Sequence, residues 1–412
     1  MKHIEKNDLT TTWAINTSGD IWTLANNASI TVSKQPAILL SPSLNGNTIN
    51  INGDIFAKKI ESAVDVDASF TAINVGSSSE IHASNFAFSL RHSDTVVRNK
   101  GLIEAGNTGI DASAQVSIFN DGEINSQYAI HSNGNLGLVN NGELTGEFNG
   151  VLAAANGASI TNGKNGVITG NQAAAIYITD TGNYQIVNNG VLKGHGASLL
   201  DAAGDGTIVN HGTMNGDVSL GAGDDIFDTR GGVVHGKIMG GQGYDTFIVD
   251  SQSFKLVEAQ NQGTDLVKST VDHSLEQNIE NLTLIGKANV DATGNGLDNV
   301  IFGNAGKNVL KGLEGEDLLF GGRGDDRLVG GVGSDYFDFT PNTGHDVVVD
   351  FIDGEDYISS EYAKNEEEIE ALIKDHASTS GSDTLITFGD DTLLIKNLAL
   401  ANLTEEDFKF LA

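Results

Sequence analysis

Cysteine is absent from this 412-residue chain. That excludes disulfides and thiolate metal sites, and leaves oxygen and imidazole as the available metal donors. Proline occurs three times, at 36, 42 and 341, against 51 glycines. Such a ratio excludes proline-rich disorder and points to many tight turns that call for positive φ. Bases are scarce: 23 Lys and Arg stand against 55 Asp and Glu, a net charge of −32. A surface this acidic repels nucleic acid and anionic lipid and attracts cations. No run of 18 apolar residues exists, so the sequence offers no membrane span, and Met1 to Thr12 lacks the apolar core of a Sec-type signal peptide. The charge is also uneven. Residues 217–412 hold 37 of the 55 acids and only 13 of the 23 bases, a density that calls for counterions or bound metal if this half is to be compact.

Two internal periods organise the chain. In the first half two apolar residues are followed by Asn, any residue and Gly. Copies are Val96-Val97-Arg98-Asn99-Lys100-Gly101, Ile118-Phe119-Asn120-Asp121-Gly122, Leu138-Val139-Asn140-Asn141-Gly142, Ile186-Val187-Asn188-Asn189-Gly190 and Ile208-Val209-Asn210-His211-Gly212. Weaker copies centre on Gly53, Gly76 and Gly166. An aliphatic follows at Ile103, Ile124, Leu144, Ile168, Leu192 and Met214. A period near 22 with short alternating strands and no helical pattern fits one coil of a parallel β-helix, with stacked Asn amides able to bond along it. The competing arrangement, a β-sandwich with Asn-Gly hairpins, does not keep one register through eight units. The pattern resembles autotransporter passenger domains and pectate-lyase-like proteins, which implies a right-handed parallel β-helix over 49–216. Residues 1–48, with Trp13, Trp22, Pro36 and Pro42, fit the register poorly and are expected to cap it.

The second period is nine. Five nonads run without interruption from Gly294 to Asp338, beginning at Gly294, Gly303, Gly312, Gly321 and Gly330. Partial copies lie upstream around Asp225 and Asp245, which are 20 residues apart. Each nonad reads as a turn at positions one to six and a short strand at seven to nine. An aliphatic or aromatic residue at position eight points inward (Ile301, Leu310, Leu319, Leu328, Phe337), and position six bears the acid, or Asn at 299 and 308. Two nonads make one turn of a roll, so Asp317 is expected to face Asp335, and Asn308 to face Asp326. Ca²⁺ takes six to eight oxygens, which carboxylates and turn carbonyls supply, whereas Mg²⁺ demands a smaller octahedral site.

These nonads resemble the RTX, or haemolysin-type, calcium-binding repeats of proteins exported by type I secretion. The resemblance implies a β-roll over 217–345 that binds several Ca²⁺ ions. The implied metal residues are Asp225, Asp245, Gly303, Asn308, Gly312, Gly315, Asp317, Gly321, Gly324, Asp326, Gly330, Gly333 and Asp335. Glycines at positions one, two and four are expected to supply positive φ. Residues 346–412 resemble the C-terminal region of type I substrates, with a helix capped by Asn365 and Glu368, strands at 384–388 and 392–396, and the segment Glu406 to Phe410. The whole is expected to be all-β with one helix, secreted to the cell surface or beyond, with the exporter as partner and a glycan or a second copy as further candidates.

Catalytic signatures are missing. There is no Asp-Pro-His-Asp of mannuronan epimerases, no His-Glu-x-x-His and no Gly-x-Ser-x-Gly. Arg91, His92 and Arg98 lie near one coil, with no acids apparent on neighbouring coils, and His131, His195 and His211 show no metal-like spacing. The reading is a non-enzymatic structural or adhesive protein, with a polysaccharide lyase or epimerase on the β-helix as the alternative.

Overall fold

A computed structural model describes residues 1–154, 157–179, 181–360, 362–363 and 365–409, so Phe410 lies outside the described residues. The protein is all-β and forms two compact units, Met1–Gln242 and Gly243–Ala412, each a parallel β-solenoid. One α-helix is present among the described residues. None of their helices is long and apolar enough to cross a membrane.

In the first unit the Asn-bearing strands stack directly on one another. Thr95–Asn99, Val116–Asn120, Leu136–Asn140, Ser159–Asn162, Tyr184–Asn188 and Gly206–Asn210 pair in parallel with Asn opposite Asn. The inward column of this ladder is Ile49, Ile73, Val97, Ile118, Leu138, Ile160, Ile186 and Ile208, all buried. The following strands stack Ile55, Ile81, Ile103, Ile124, Leu144, Ile168, Leu192 and Met214 in the same way. Each such side chain contributes about 1.5–3 kcal/mol by leaving water. Residues 1–48 are built of the same coils: Lys2–Glu5 pairs with Ile21–Leu24, which pairs with Thr48–Ile51.

The marker glycines are not left-handed. Gly101, Gly122, Gly142, Gly190 and Gly212 lie outside the positive-φ set. A Cβ on Gly122 would meet the Gly101 carbonyl at 2.2 Å, and one on Gly142 the Gly122 carbonyl at 2.1 Å. Glycine is required here because successive coils approach too closely for any side chain.

In the second unit, Thr246–Val249, Leu266–Ser269, Asn281–Leu284, Val300–Phe302, Leu318–Phe320, Tyr336–Phe339 and Tyr357–Ser360 form one parallel ladder. Ala292–Thr293, Val309–Glu314, Arg327–Val332, His345–Val348 and Asp391–Ile395 form another. Ile301, Leu310, Leu319, Leu328 and Phe337 are fully buried between them. Helix α1 (Glu366–His376) starts at Asn365, whose Oδ1 accepts from the Glu368 N–H at 2.9 Å, and it buries Ile369 and Leu372. An antiparallel hairpin, Asp383–Phe388 with Asp391–Ile395, follows α1.

Candidate metal centre

Position six of each nonad directly precedes a strand, so its side chain sits at the turn beside the neighbouring coil. One carboxylate oxygen has a fixed task there. Asp317 Oδ1 accepts from the Asn299 N–H (2.8 Å), Asp335 Oδ1 from Asp317 (3.0 Å), and Asp326 Oδ1 from Asn308 (2.8 Å). These main-chain bonds tie each turn to the turn before it.

The second oxygen has no such partner. Oδ2 of Asp317, Asp326 and Asp335 is buried without a hydrogen bond, in residues at most 2 % exposed. Each lies against the position-one glycine of its own nonad. A Cβ there would come within 2.0 Å of Asp317 Oδ2 at Gly312, 2.8 Å of Asp326 Oδ2 at Gly321 and 2.2 Å of Asp335 Oδ2 at Gly330. The same point beside Gly312 is 2.7 Å from the Gly330 carbonyl oxygen. Position-one glycines therefore make room and do not supply positive φ, which corrects the expectation for Gly303, Gly312, Gly321 and Gly330. Positive φ belongs to positions two and four: Gly322 (+85°), Gly331 (+118°), Gly315 (+120°), Gly324 (+139°) and Gly333 (+137°). Leu313 takes position two at +94°, a conformation costing a side chain roughly 1–3 kcal/mol.

Burial pushes the Asp317 and Asp326 carboxyls up to about 7 and Asp335 up to about 6, with the neighbouring acids Asp335, Asp325 and Asp356 respectively adding to the rise. A dry carboxylate oxygen needs a proton or a cation. Among the described residues no three acidic or histidine side chains gather at one point. A cation would therefore draw most of its donors from turn carbonyls, an all-oxygen set of the kind Ca²⁺ prefers. The residues fit calcium.

The first two nonads differ. Asn299 Nδ2 donates to the Glu280 carbonyl (3.1 Å) and Asn308 Nδ2 to the Val290 carbonyl (2.6 Å). Their Oδ1 atoms accept from the position-two N–H groups of Asn295 (2.8 Å) and Asn304 (2.9 Å). These turns are closed on themselves. Asp225 Oδ1 accepts from the Gly206 N–H (2.6 Å) in the first unit. In the second, the Asp245 N–H donates to Asp265 Oδ1 (2.9 Å), and the Asp265 N–H to Glu280 Oε2 (2.8 Å). Asp265 is pushed by burial up to about 6.

Among the buried acids beyond the repeats, Asp346 and Asp356 escaped the sequence reading as turn residues. Asp356 Oδ1 accepts from the Asp335 N–H (3.0 Å) and its Oδ2 from the Ile352 N–H (2.8 Å). Asp346 Oδ1 accepts from the Asp326 N–H (2.9 Å). The signal that could have found them is the spacing acid, any residue, buried aliphatic: Asp346 with Val348 and Asp356 with Ile358, as in Asp317 with Leu319.

In the first unit Arg91, His92 and His131 do have acids on the coil before them, which corrects the sequence reading for Arg91 and His92. Arg91 pairs with Asp65 (3.1 Å) and His92 with Asp67 (2.7 Å). Arg98 lies over the Phe119 ring, 5.1 Å from its centre. His131 pairs with Asp111 (2.7 Å), and His211 Nδ1 contacts the Arg230 carbonyl (2.9 Å).

A solenoid whose turns hold rows of dry carboxylates has the donor set of a cation-binding roll. The family model of the RTX calcium-binding nonapeptide repeat (four copies) matches residues 293–328 and, in an overlapping register, 302–337. The chain carries RTX calcium-binding repeats. No curated relative matches by sequence. Among solved structures the chain is similar to the extracellular lipase LipA from Serratia marcescens, at 19 % identity over 56 % of this chain and 40 % of that one, with a TM-score of 0.21. The chain thus spans less than half the length of that lipase.

Proposed function

We propose that this is a secreted protein whose 243–412 unit folds around several Ca²⁺ ions, with Asp317, Asp326 and Asp335 and the carbonyls of the turn glycines as ligands. The observation that carries the reading is the row of buried, unbonded Oδ2 atoms. Without metal they repel or must be protonated, and with Ca²⁺ each gains a charge-assisted contact. A chain exported through a type I channel stays unfolded in calcium-poor cytoplasm and folds outside. Far-UV circular dichroism of the full chain, in EGTA and then in millimolar Ca²⁺, tests this: β-signal should rise on addition of calcium. An unchanged spectrum counts against it.

The role outside is structural or adhesive, through glycan binding or self-association. Support comes from the first unit, in which Arg91, His92 and His131 are each paired with an acid of the preceding coil. The same pairs are what a polysaccharide-active enzyme would need to keep its bases in place. Glycan-array binding run beside a reducing-sugar release assay separates the two. Binding without turnover favours adhesion, and turnover favours the enzyme.

A further inference from the structure

We infer that the calcium column runs one turn past the repeats, to Asp346, and ends at Asp356. This rests on the calcium reading above and adds a site outside any recognisable nonad.

Residues 341–349 read Pro-Asn-Thr-Gly-His-Asp-Val-Val-Val. Without its position-one glycine and displaced by two extra residues, Phe339 and Thr340, this stretch is hard to see as a repeat. The backbone nevertheless treats it as one. Asn342 at position two has φ +68° and Gly344 at position four +99°, Asp346 at position six is buried, and Val348 at position eight is fully buried. Asp346 Oδ2 is without a hydrogen bond in a residue 1 % exposed. Thr343 beside it donates its hydroxyl to the Thr340 carbonyl (3.1 Å).

Position two decides which turns are open. Where its φ is positive, at Leu313, Gly322, Gly331 and Asn342, the acid of that turn keeps an unbonded oxygen. Where it is not, at Asn295, Asn304 and Ile352, the position-two N–H donates to the side chain at position six and occupies the place of a cation. In the Asp346 turn that N–H is diverted: Asn342 donates it to Asp391 Oδ2 (2.8 Å), while Gly344 donates to Asp391 Oδ1 (3.0 Å). Asp391 is thus a positioning residue that holds the last turn open. Asp356, with both oxygens taken by N–H groups, closes the other side.

The test counts calcium ions per full chain by equilibrium dialysis against labelled Ca²⁺, with circular dichroism confirming the folded state at saturating calcium. Asp346→Asn imitates what the protein itself carries at Asn299 and Asn308, and should bind one ion fewer. Asp356→Asn should bind the full number. Should Asp346→Asn fail to fold, Asp391→Ala gives the reading, since freeing the Asn342 N–H should cost the same single ion. Full stoichiometry in the folded 346 variant or, failing that, in Asp391→Ala overturns the proposal, as does an equal loss in Asp356→Asn. Asp326→Asn separates this from the parent reading. If it loses an ion and Asp346→Asn does not, only the extension fails; if neither does, the calcium reading fails too.

Discussion

Both units stack polar side chains along successive coils, and one atom separates their behaviour. In the first unit the column is Asn99, Asn120, Asn140, Asn162, Asn188 and Asn210, each wholly buried. Each amide donates to the oxygen of the next at 2.8–2.9 Å, and the last donates to Thr229 Oγ1 (3.1 Å). An amide carries donor and acceptor together, so the column satisfies itself. In the second unit the column is aspartate, which when ionised only accepts. Main-chain N–H groups serve one oxygen per turn and the other is left over. Similar coils therefore give one column that bonds to itself and one that leaves an oxygen over on each of Asp317, Asp326 and Asp335. The nonads at Asn299 and Asn308 show the first solution inside the second unit.

The largest way to break this contrast is chelation. Hydrogen exchange of the full chain in EGTA should show amides around Ile301, Leu319 and Phe337 losing protection, while those around Ile118, Leu138 and Ile160 keep theirs. Loss of both together would mean that the Asn column does not stand alone. Protons should partly replace the ion. The folded-state values of Asp317, Asp326 and Asp335 are pushed by burial above the ordinary carboxylate value of 3.8, to about 7, 7 and 6. Their contribution to metal-free stability is therefore fully present below about pH 4 and is lost as pH rises through 6 to 7. Chelated protein should hold more β-signal near pH 4.5 than at pH 8, and the calcium midpoint should rise as pH falls below about 7. A midpoint indifferent to pH would remove these acids from the site.

Exchanging the two chemistries is a smaller perturbation. Asn140 donates to Asn162 Oδ1 (2.9 Å) and the Gly142 carbonyl (3.2 Å). Asn140→Asp would turn those contacts into oxygen against oxygen, costing roughly 3 kcal/mol in the first unit, read by denaturant unfolding in EGTA. In the other direction, Asp326→Ala should raise the calcium midpoint several-fold, by about 1–2 kcal/mol for the lost contact. Asn299→Ala, in a closed turn, should cost about 1 kcal/mol of stability and move the midpoint least. Equal midpoints for these last two would show that open and closed turns do not differ.

Much of this was legible in residue order. Inward columns follow from two-residue alternation within a fixed coil period, and the amide ladder from an Asn that recurs in register with them. Less legible were features that depend on coil length. Arg91 meets Asp65 because 26 residues separate them across one coil, and nothing local announces that number. Asp346 was hidden because Phe339 and Thr340 break the period of nine just before it. Position-one glycines were assigned to backbone conformation, although their reason is the carboxylate oxygen that fills the space of a Cβ.

Composition and period by themselves determined that this chain is an all-β solenoid with an oxygen-rich, cysteine-free calcium repeat, since stacking one side-chain type per coil leaves little freedom in what the turns contain. Only the tertiary structure decided which turns are open. Asp346 and Asp356 are the same residue type, each followed two positions later by a buried aliphatic. One has an unbonded oxygen and the other has none, because φ at position two directs a single N–H toward the acid or away from it. At Asn342 that N–H goes to Asp391, 49 residues along the chain, and a partner that distant is supplied by the fold.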